Sequence, residues 1–235
     1  MKILVADIGN SKCKTAIWDG RRLYSRKVIP TRVIDRNSFS KGIPVAASCV
    51  VPSVRKILKG SDILWIDAFL DTGVNFSLID MRGIGSDRVA AAAAVARFAR
   101  KSSIIVDAGT AVTVDALSEN KVFLGGAIMP GLRMMKDSLH RKTAGLPLIK
   151  NNFSVPPVFA GKNTVEAIRA GTELGFVGSI EYLIKGIAGK CDFRKFDVFV
   201  SGGEAARILS YFPKYIYFAD IVLLGVATIW EREKL

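Results

Sequence analysis

The chain has 235 residues, half of them hydrophobic and 23% charged, which excludes a disordered polymer and allows one large domain or two of about 100 residues each. Its 34 Lys and Arg outnumber 21 Asp and Glu, for a net charge of +13, a balance that attracts polyanions in general. The cations are dispersed, as in "RRLYSRK" (21–27) and "RKILKG" (55–60), with no zinc-finger pattern or basic zipper. A phosphorylated small substrate therefore suits the charge as well as nucleic acid does, and nucleic acid is not the expected partner.

In chain order, "KILVADIG" and "KTAIWDG" read as two strands around a tight turn, "RRLYSRKVI" as a third and "IPVAASCV" (43–50) as a buried fourth. A short basic helix and the strand-like "ILWIDAF" follow. "SDRVAAAAAVARFARK" (86–101) is a helix, rich in alanine, acidic in its first turn and basic at its end. Next come two apolar strands around a glycine turn, "SIIVDAGTAVTVDAL" (103–117), and then "KVFLGGAIMPG". From 163 a long amphipathic helix with interior glycines is expected, then a strand, a glycine turn and a helix in "FDVFVSGGEAARIL", and a helical C-terminus. The whole is an α/β chain in two blocks, 1–102 and 103–235.

The longest apolar stretch, "DIVLLGVATIW" (220–230), is too short to span a bilayer, and the first residues read as a strand rather than a signal peptide. Cys13, Cys49 and Cys191 lack metal-ligand spacing and are expected as reduced thiols in a cytoplasmic protein.

The two blocks echo one another. "ILVADIGNSKCKTAIWD" and "IIVDAGTAVTVDAL" share an apolar strand, an Asp-x-Gly-small turn and a second strand. Glycine in such a turn lets consecutive N–H groups cradle phosphate oxygens, Ser11 and Thr110 add hydroxyls, and an adjacent carboxylate suits a Mg²⁺ shared with nucleotide phosphates. A third glycine turn, "VSGGEAAR" (200–207), opens a helix. No Walker A sequence is present, and "GKNT" (161–164) reads as a helix start capped by Asn163 or Thr164. In "GSDR" (85–88), Asp87 suits the dipole of the alanine-rich helix and Arg88 does not. An Arg that grips a carboxylate beside an Asp that accepts a hydroxyl proton would suit an acid bearing an alcohol.

In order along the chain, "DIGNSKCK" (7–14), "GSDR" (85–88), "DAGTAVTVD" (107–115), "GGAIMPG" (125–131), "TAGLP" (143–147), "GKNT" (161–164) and "SGGEA" (201–205) resemble the type III pantothenate kinases. That family lies in the acetate and sugar kinase and actin superfamily. The resemblance implies two ribonuclease-H-like (actin-like ATPase) halves, with mixed sheets flanked by helices and ATP in a cleft between them. It implies ATP-dependent phosphorylation of pantothenate to 4'-phosphopantothenate, the first step of coenzyme A biosynthesis. ATP contacts would fall on Asp7, Ile8, Gly9, Asn10, Ser11, Lys12, Cys13, Lys14 and Thr110, and Asp7 could reach Mg²⁺ through the phosphates. Asp87 matches the family's proton acceptor, and Gly85, Ser86, Asp87, Arg88 and Thr164 its pantothenate contacts. Asp107 matches the position that binds a monovalent cation, K⁺ or NH₄⁺, and the family is homodimeric. Asp87, near a helix N-terminus, is expected to stay ionised and act as a weak base.

Two departures stand out. Ser11 replaces the family's common Thr, and "NFSLIDMRGI" (75–84) lacks the Tyr or Trp and Asn-Pro usual before "GSDR". A kinase for another hydroxy acid, or a non-catalytic regulator or transcription accessory factor on the same fold, are the alternative readings.

Overall fold

The computed structural model describes residues 2–39, 42–150 and 157–234. It contains two five-stranded sheets, ordered β3-β2-β1-β4-β5 and β10-β9-β6-β7-β8. The first is built from β1 (Ile3–Ile8), β2 (Lys12–Trp18), β3 (Leu23–Pro30), β4 (Val45–Cys49) and β5 (Ile63–Trp65). The second is built from β6 (Ser102–Ala108), β7 (Ala111–Leu117), β8 (Phe123–Pro130), β9 (Phe196–Ser201) and β10 (Ile216–Tyr217). In each sheet the block's first strand is central, flanked by its second and fourth, with the third and fifth at the edges. This shared order is the one expected of a ribonuclease-H-like half.

Composition explains the positions. β1 is a near-continuous apolar run, buried along most of its length, as a central strand covered on both faces must be. β3 carries Ser25, Arg26 and Lys27 on an exposed edge, the charged chemistry that protects an open strand. β1 pairs antiparallel with β2 and parallel with β4, so that Ile8 stands opposite both Cys13 and Cys49. These three, with Ala6, Ala47, Ile34, Val54 and Leu58, form the core on one face of the first sheet. Val54 belongs to the short helix α1 (Pro52–Ile57).

The other face is covered by α2 (Ser86–Phe98) and the C-terminal helix, labelled α7 (Ile221–Arg232). The alanine run of α2 lets the two helices approach so closely that a Cβ at Gly225 would collide with the backbone of Ala90. Trp18 Nε1 donates to Glu231 Oε1 at 2.6 Å, Arg97 Nη1 to Glu231 Oε2 at 2.7 Å, and Arg232 Nε to Asp71 Oδ1 at 2.9 Å.

The chain accordingly divides into compact units that differ from the chain-order blocks 1–102 and 103–235. One unit holds Met1–Ser103, Leu117–Gly125 and Asp220–Leu235, and the other Ile104–Ala116 and Gly126–Ala219. α7 follows β10 as α2 follows β5, yet its apolar face and its ion pairs fix it in the first unit.

In the second unit, α3 (Leu132–Lys142) follows β8, and α6 (Ala205–Tyr211) follows β9. The long helix expected from 163 is α4 (Thr164–Arg169), a π turn (Ala170–Leu174) and α5 (Gly175–Lys190) in succession. Asn163 is its cap: the side-chain oxygen accepts from Glu166 N at 3.0 Å, and Glu166 Oε2 accepts from Lys162 N at 2.8 Å, a reciprocal box. Among the described residues no helix is long and apolar enough to cross a membrane.

Candidate active site

Asp7 is the penultimate residue of β1 and is half-buried, and Asp107 holds the same place in β6. The first turn closes with Gly9 N donating to Lys12 O at 3.1 Å, the second with Gly109 N donating to Ala111 O at 3.0 Å. Neither Gly9 nor Gly109 has a positive φ. Asn10, Ser11, Lys12 and Thr110 are exposed at the turns, while Gly9 and Lys14 are half-buried. Ile8 and Cys13 belong to the core beneath the first turn. Burial, reinforced by the charge of Asp7, pushes the Cys13 thiol up to about 12, which makes it inert at neutral pH.

A residue the sequence reading passed over fixes the first turn. Thr31 is buried just beyond β3; its hydroxyl donates to Gly9 O at 2.6 Å and its N–H to Ser11 O at 3.1 Å. The same sheet end carries the "GSDR" segment. Asp7 stands opposite Lys14 on β2 and Ser48 on β4. The buried Ser48 hydroxyl meets that of Ser86 at 3.0 Å, and Ser86 Oγ accepts from Cys49 N at 2.8 Å. Two buried serines thus seat the first turn of α2 beside the strand that pairs with β1 opposite Asp7, and Asp87 follows Ser86 directly.

Asp87 Oδ1 accepts from Arg88 N at 2.8 Å. Burial raises its carboxyl above the ordinary range, against the opposing effects of that hydrogen bond and of the Arg88 charge. This corrects the expectation of a weak base: desolvation outweighs the helix terminus, and Asp87 holds a proton more strongly than a free aspartate. The Arg88 guanidinium lies 5.5 Å from the ring centroid of buried Phe123, which packs 5.2 Å from Phe76. Phe76 sits in the divergent 75–84 segment. Its neighbour Asn75 is fastened to the 117–125 turn by bonds from Asn75 N to Lys121 O (2.8 Å) and Phe123 N to Asn75 O (2.9 Å).

In the second unit two helix starts close on the turn after Asp107. Gly131 N donates to Thr110 O at 3.1 Å, and Glu204 N to Ala108 O at 3.1 Å. A Cβ at Gly131 would overlap the carbonyls of Gly109 and Thr110. Gly202, with φ +91°, likewise leaves no room for a Cβ against Ala108. Only glycine meets both requirements at 202. Thr164 is exposed at the start of α4, on a cavity of about 510 Å³ that Leu139, Leu146, Gly161, Asn163 and Gly171 also line.

Two sheets of this order, each with an aspartate–glycine turn at the end of its central strand, define an actin-like kinase fold. Among solved structures, the chain is similar to a Baf family transcriptional activator from Campylobacter jejuni (TM-score 0.66, 23% identity, 99% of this chain and 100% of that one). It also resembles the ROK hexokinase of Thermus thermophilus (TM-score 0.50, 16% identity, all of both chains). At these identities the likeness is one of fold.

The type III pantothenate kinase family profile matches residues 3–186. A type III pantothenate kinase of Flavobacterium johnsoniae is 32% identical over 238 residues, covering 94% of each chain. Another, from Christiangramia forsetii, is 32% identical over 246 residues, covering 98% of each. The chain belongs to the type III pantothenate kinase family.

Proposed function

We propose that the chain transfers the γ-phosphoryl group of ATP to the primary hydroxyl of pantothenate, giving 4'-phosphopantothenate and ADP in the first step of coenzyme A biosynthesis. Family membership supports the reaction. The observation that supports the residue roles is the seating of Asp87 at the end of the first sheet, where Asp7, Lys14, Ser48 and Ser86 converge. Phosphoryl transfer asks a protein mainly to align the reactants and to balance charge.

In this reading the turn 7–14 and Thr110 bind the ATP phosphates. Gly85–Arg88 and Thr164 bind pantothenate, with Arg88 on its carboxylate. As the hydroxyl oxygen bonds to the γ-phosphorus, the bond to the β–γ bridging oxygen breaks and the hydroxyl proton passes to Asp87. The raised proton affinity of Asp87 fits a general base.

The family implies ATP and a divalent metal. Among the described residues no group of three or more His, Cys, Asp or Glu is arranged for a metal ion. A lone hard carboxylate such as Asp7 suits a Mg²⁺ held otherwise by phosphates and water. Mg²⁺ would supply charge neutralisation on the phosphates. Asp107 is assigned to the monovalent cation, K⁺ or NH₄⁺.

The segments 1–102 and 103–235 are read as the two halves in chain order, because α7 occupies the place after β10 that α2 occupies after β5. A homodimer in the cytoplasm completes the proposal. It is supported by an apolar groove of about 650 Å³ lined by Met129, Pro130, Met135, Gly178, Tyr182 and Leu183. Tyr182 is 78% exposed there, and a second copy of the chain would cover it. The test is ADP release from ATP and a panel of hydroxy acids, with and without K⁺. Turnover of pantothenate dependent on K⁺ is expected; turnover of another acid alone would reject the substrate.

A further inference from the structure

The second unit holds a buried ionic network that the proposed reaction does not use. Glu173, 1% exposed, lies in the π turn. It accepts from Lys136 Nζ at 2.7 Å, from Arg207 Nη1 at 3.1 Å and from Arg169 Nε at 3.4 Å. Arg207 Nε also donates to Glu204 Oε2 at 3.1 Å. Lys136 and Arg207 are 2% and 4% exposed, so three cations and two carboxylates meet with little solvent between them. Burial pushes the Glu173 carboxyl up, but the Lys136 hydrogen bond and the charges of Lys136 and Arg207 together hold it below its usual range.

Such a network is a poor way to gain stability. Apolar groups of similar volume in place of a buried ion pair are often neutral or stabilising, whereas loss of one partner is costly. Its geometry carries more meaning. Lys136 comes from α3 and Arg207 from α6, and these are the two helices whose starts close on the turn 108–110. Gly131 N bonds Thr110 O just before α3, and Glu204 N bonds Ala108 O just before α6. About one helical turn further along, each helix sends a buried cation to the same carboxylate. The π turn, a helix irregularity frequent at functional sites, carries Glu173 on a third element, between glycines 171 and 175.

We propose that Glu173 is a positioning residue for the nucleotide: by holding Lys136 and Arg207 it fixes α3 against α6 and so clamps the turn Ala108–Thr110. This rests on the reading of that turn as part of the ATP site. Glu173 itself touches no reacting group. Its loss acts on ATP through the spacing of Gly131 and Glu204, and leaves pantothenate binding at "GSDR" unaffected.

The test compares wild type with Glu173→Gln and with the apolar triple variant Lys136→Met/Glu173→Leu/Arg207→Met, which removes both buried cations together with the carboxylate. Measured are thermal stability, KM for ATP and for pantothenate, and direct binding of a fluorescent ATP analogue. Glu173→Gln is expected to raise KM for ATP and the Kd of the analogue about tenfold, with KM for pantothenate, whose Thr164 contact lies near the π turn, rising less than about twofold. The apolar triple variant regains thermal stability and keeps the ATP defect, which separates positioning from folding and serves even if Glu173→Gln fails to fold. Restoration of the ATP constants by the apolar triple variant, or an equal rise in both KM values, overturns the inference. Wild-type protein that fails to bind ATP overturns the underlying reading instead, whereas wild type that binds it no better than these variants overturns this inference alone.

Discussion

The two aspartate–glycine turns occupy the same place in the same strand order, yet they are held in opposite ways. The turn after Asp7 is open, with exposed Asn10 and Ser11 and one buried hydroxyl, from Thr31, beneath it. The turn after Asp107 is gripped from two sides by backbone so close that Gly131 and Gly202 admit no side chain, and the gripping helices meet at a buried carboxylate. The first turn is thus tied to one residue, Thr31, by a side-chain and a backbone hydrogen bond, and the second is pressed by the backbone of two helix starts. The open turn shares its sheet end with Ser86 and Asp87, the residues that the proposed reaction places on the acceptor side.

The largest expected effect falls on the acceptor side. Asp87→Asn keeps an oxygen for Arg88 N but cannot take the hydroxyl proton, and kcat is expected to fall about 1,000-fold. The same change should raise thermal stability at neutral pH. A carboxyl whose folded pKa is raised contributes stability that is fully present below its unfolded value and lost as pH rises through the folded one. Asparagine has no such loss. Wild-type kcat should correspondingly fall on acidification with an inflection above the usual carboxylate range. Normal turnover by the variant would remove Asp87 from the reaction, and an unchanged melting temperature would contradict its buried environment.

Next in size is the contrast between glycines. Gly202→Ala forces a Cβ into the Ala108 backbone at a positive φ and should cost about 3 kcal/mol in urea unfolding. Gly9 has neither constraint: its nearest obstacle is Lys12 O, 3.4 Å from an added Cβ. Gly9→Ala should therefore stay within about 1 kcal/mol of wild type. Similar losses for both would mean that the two turns are held alike after all.

Strand periodicity, the alanine-rich helix and both turns were legible in the sequence because they are local. A cap at Asn163 or Thr164 was legible for the same reason, and Asn163 is the one used. What was hidden depends on partners far along the chain. Glu173 is one of several charges in a glycine-rich helix, and two of its cations, Lys136 and Arg207, lie 37 and 34 residues away. Thr31 gives no sign in the sequence that its hydroxyl reaches back to Gly9. The apolar pattern of α7 says that it is buried but not on which sheet. For Asp87 the helix terminus was visible and the desolvation was not, so the expected direction of its basicity was reversed.

A smaller effect tests the hydroxyl under the open turn. Thr31→Val keeps the shape and removes the donor to Gly9 O, leaving that carbonyl without its 2.6 Å partner. A loss of about 1 kcal/mol is expected, with KM for ATP rising and KM for pantothenate constant. No change in either the unfolding curve or KM for ATP would show that the open turn needs no fastening.

The smallest effect concerns the divergent segment before "GSDR". Phe76, Phe123 and Arg88 form a stack in which the guanidinium rests on a buried ring, and the strap from Asn75 to the 117–125 turn holds the lower ring in place. The segment lacks the family's usual Tyr or Trp, and this stack supplies aromatic support to the arginine from beneath. Phe123→Leu keeps the apolar bulk but removes the ring face, a cation–π contact of about 1 kcal/mol. KM for pantothenate should then rise about fivefold while kcat and KM for ATP hold. Because leucine cannot hold the guanidinium in a plane, the loss should be greater for pantothenate than for an analogue without its carboxylate. Equal losses for both would mean that Phe123 only fills space and that the carboxylate is gripped elsewhere.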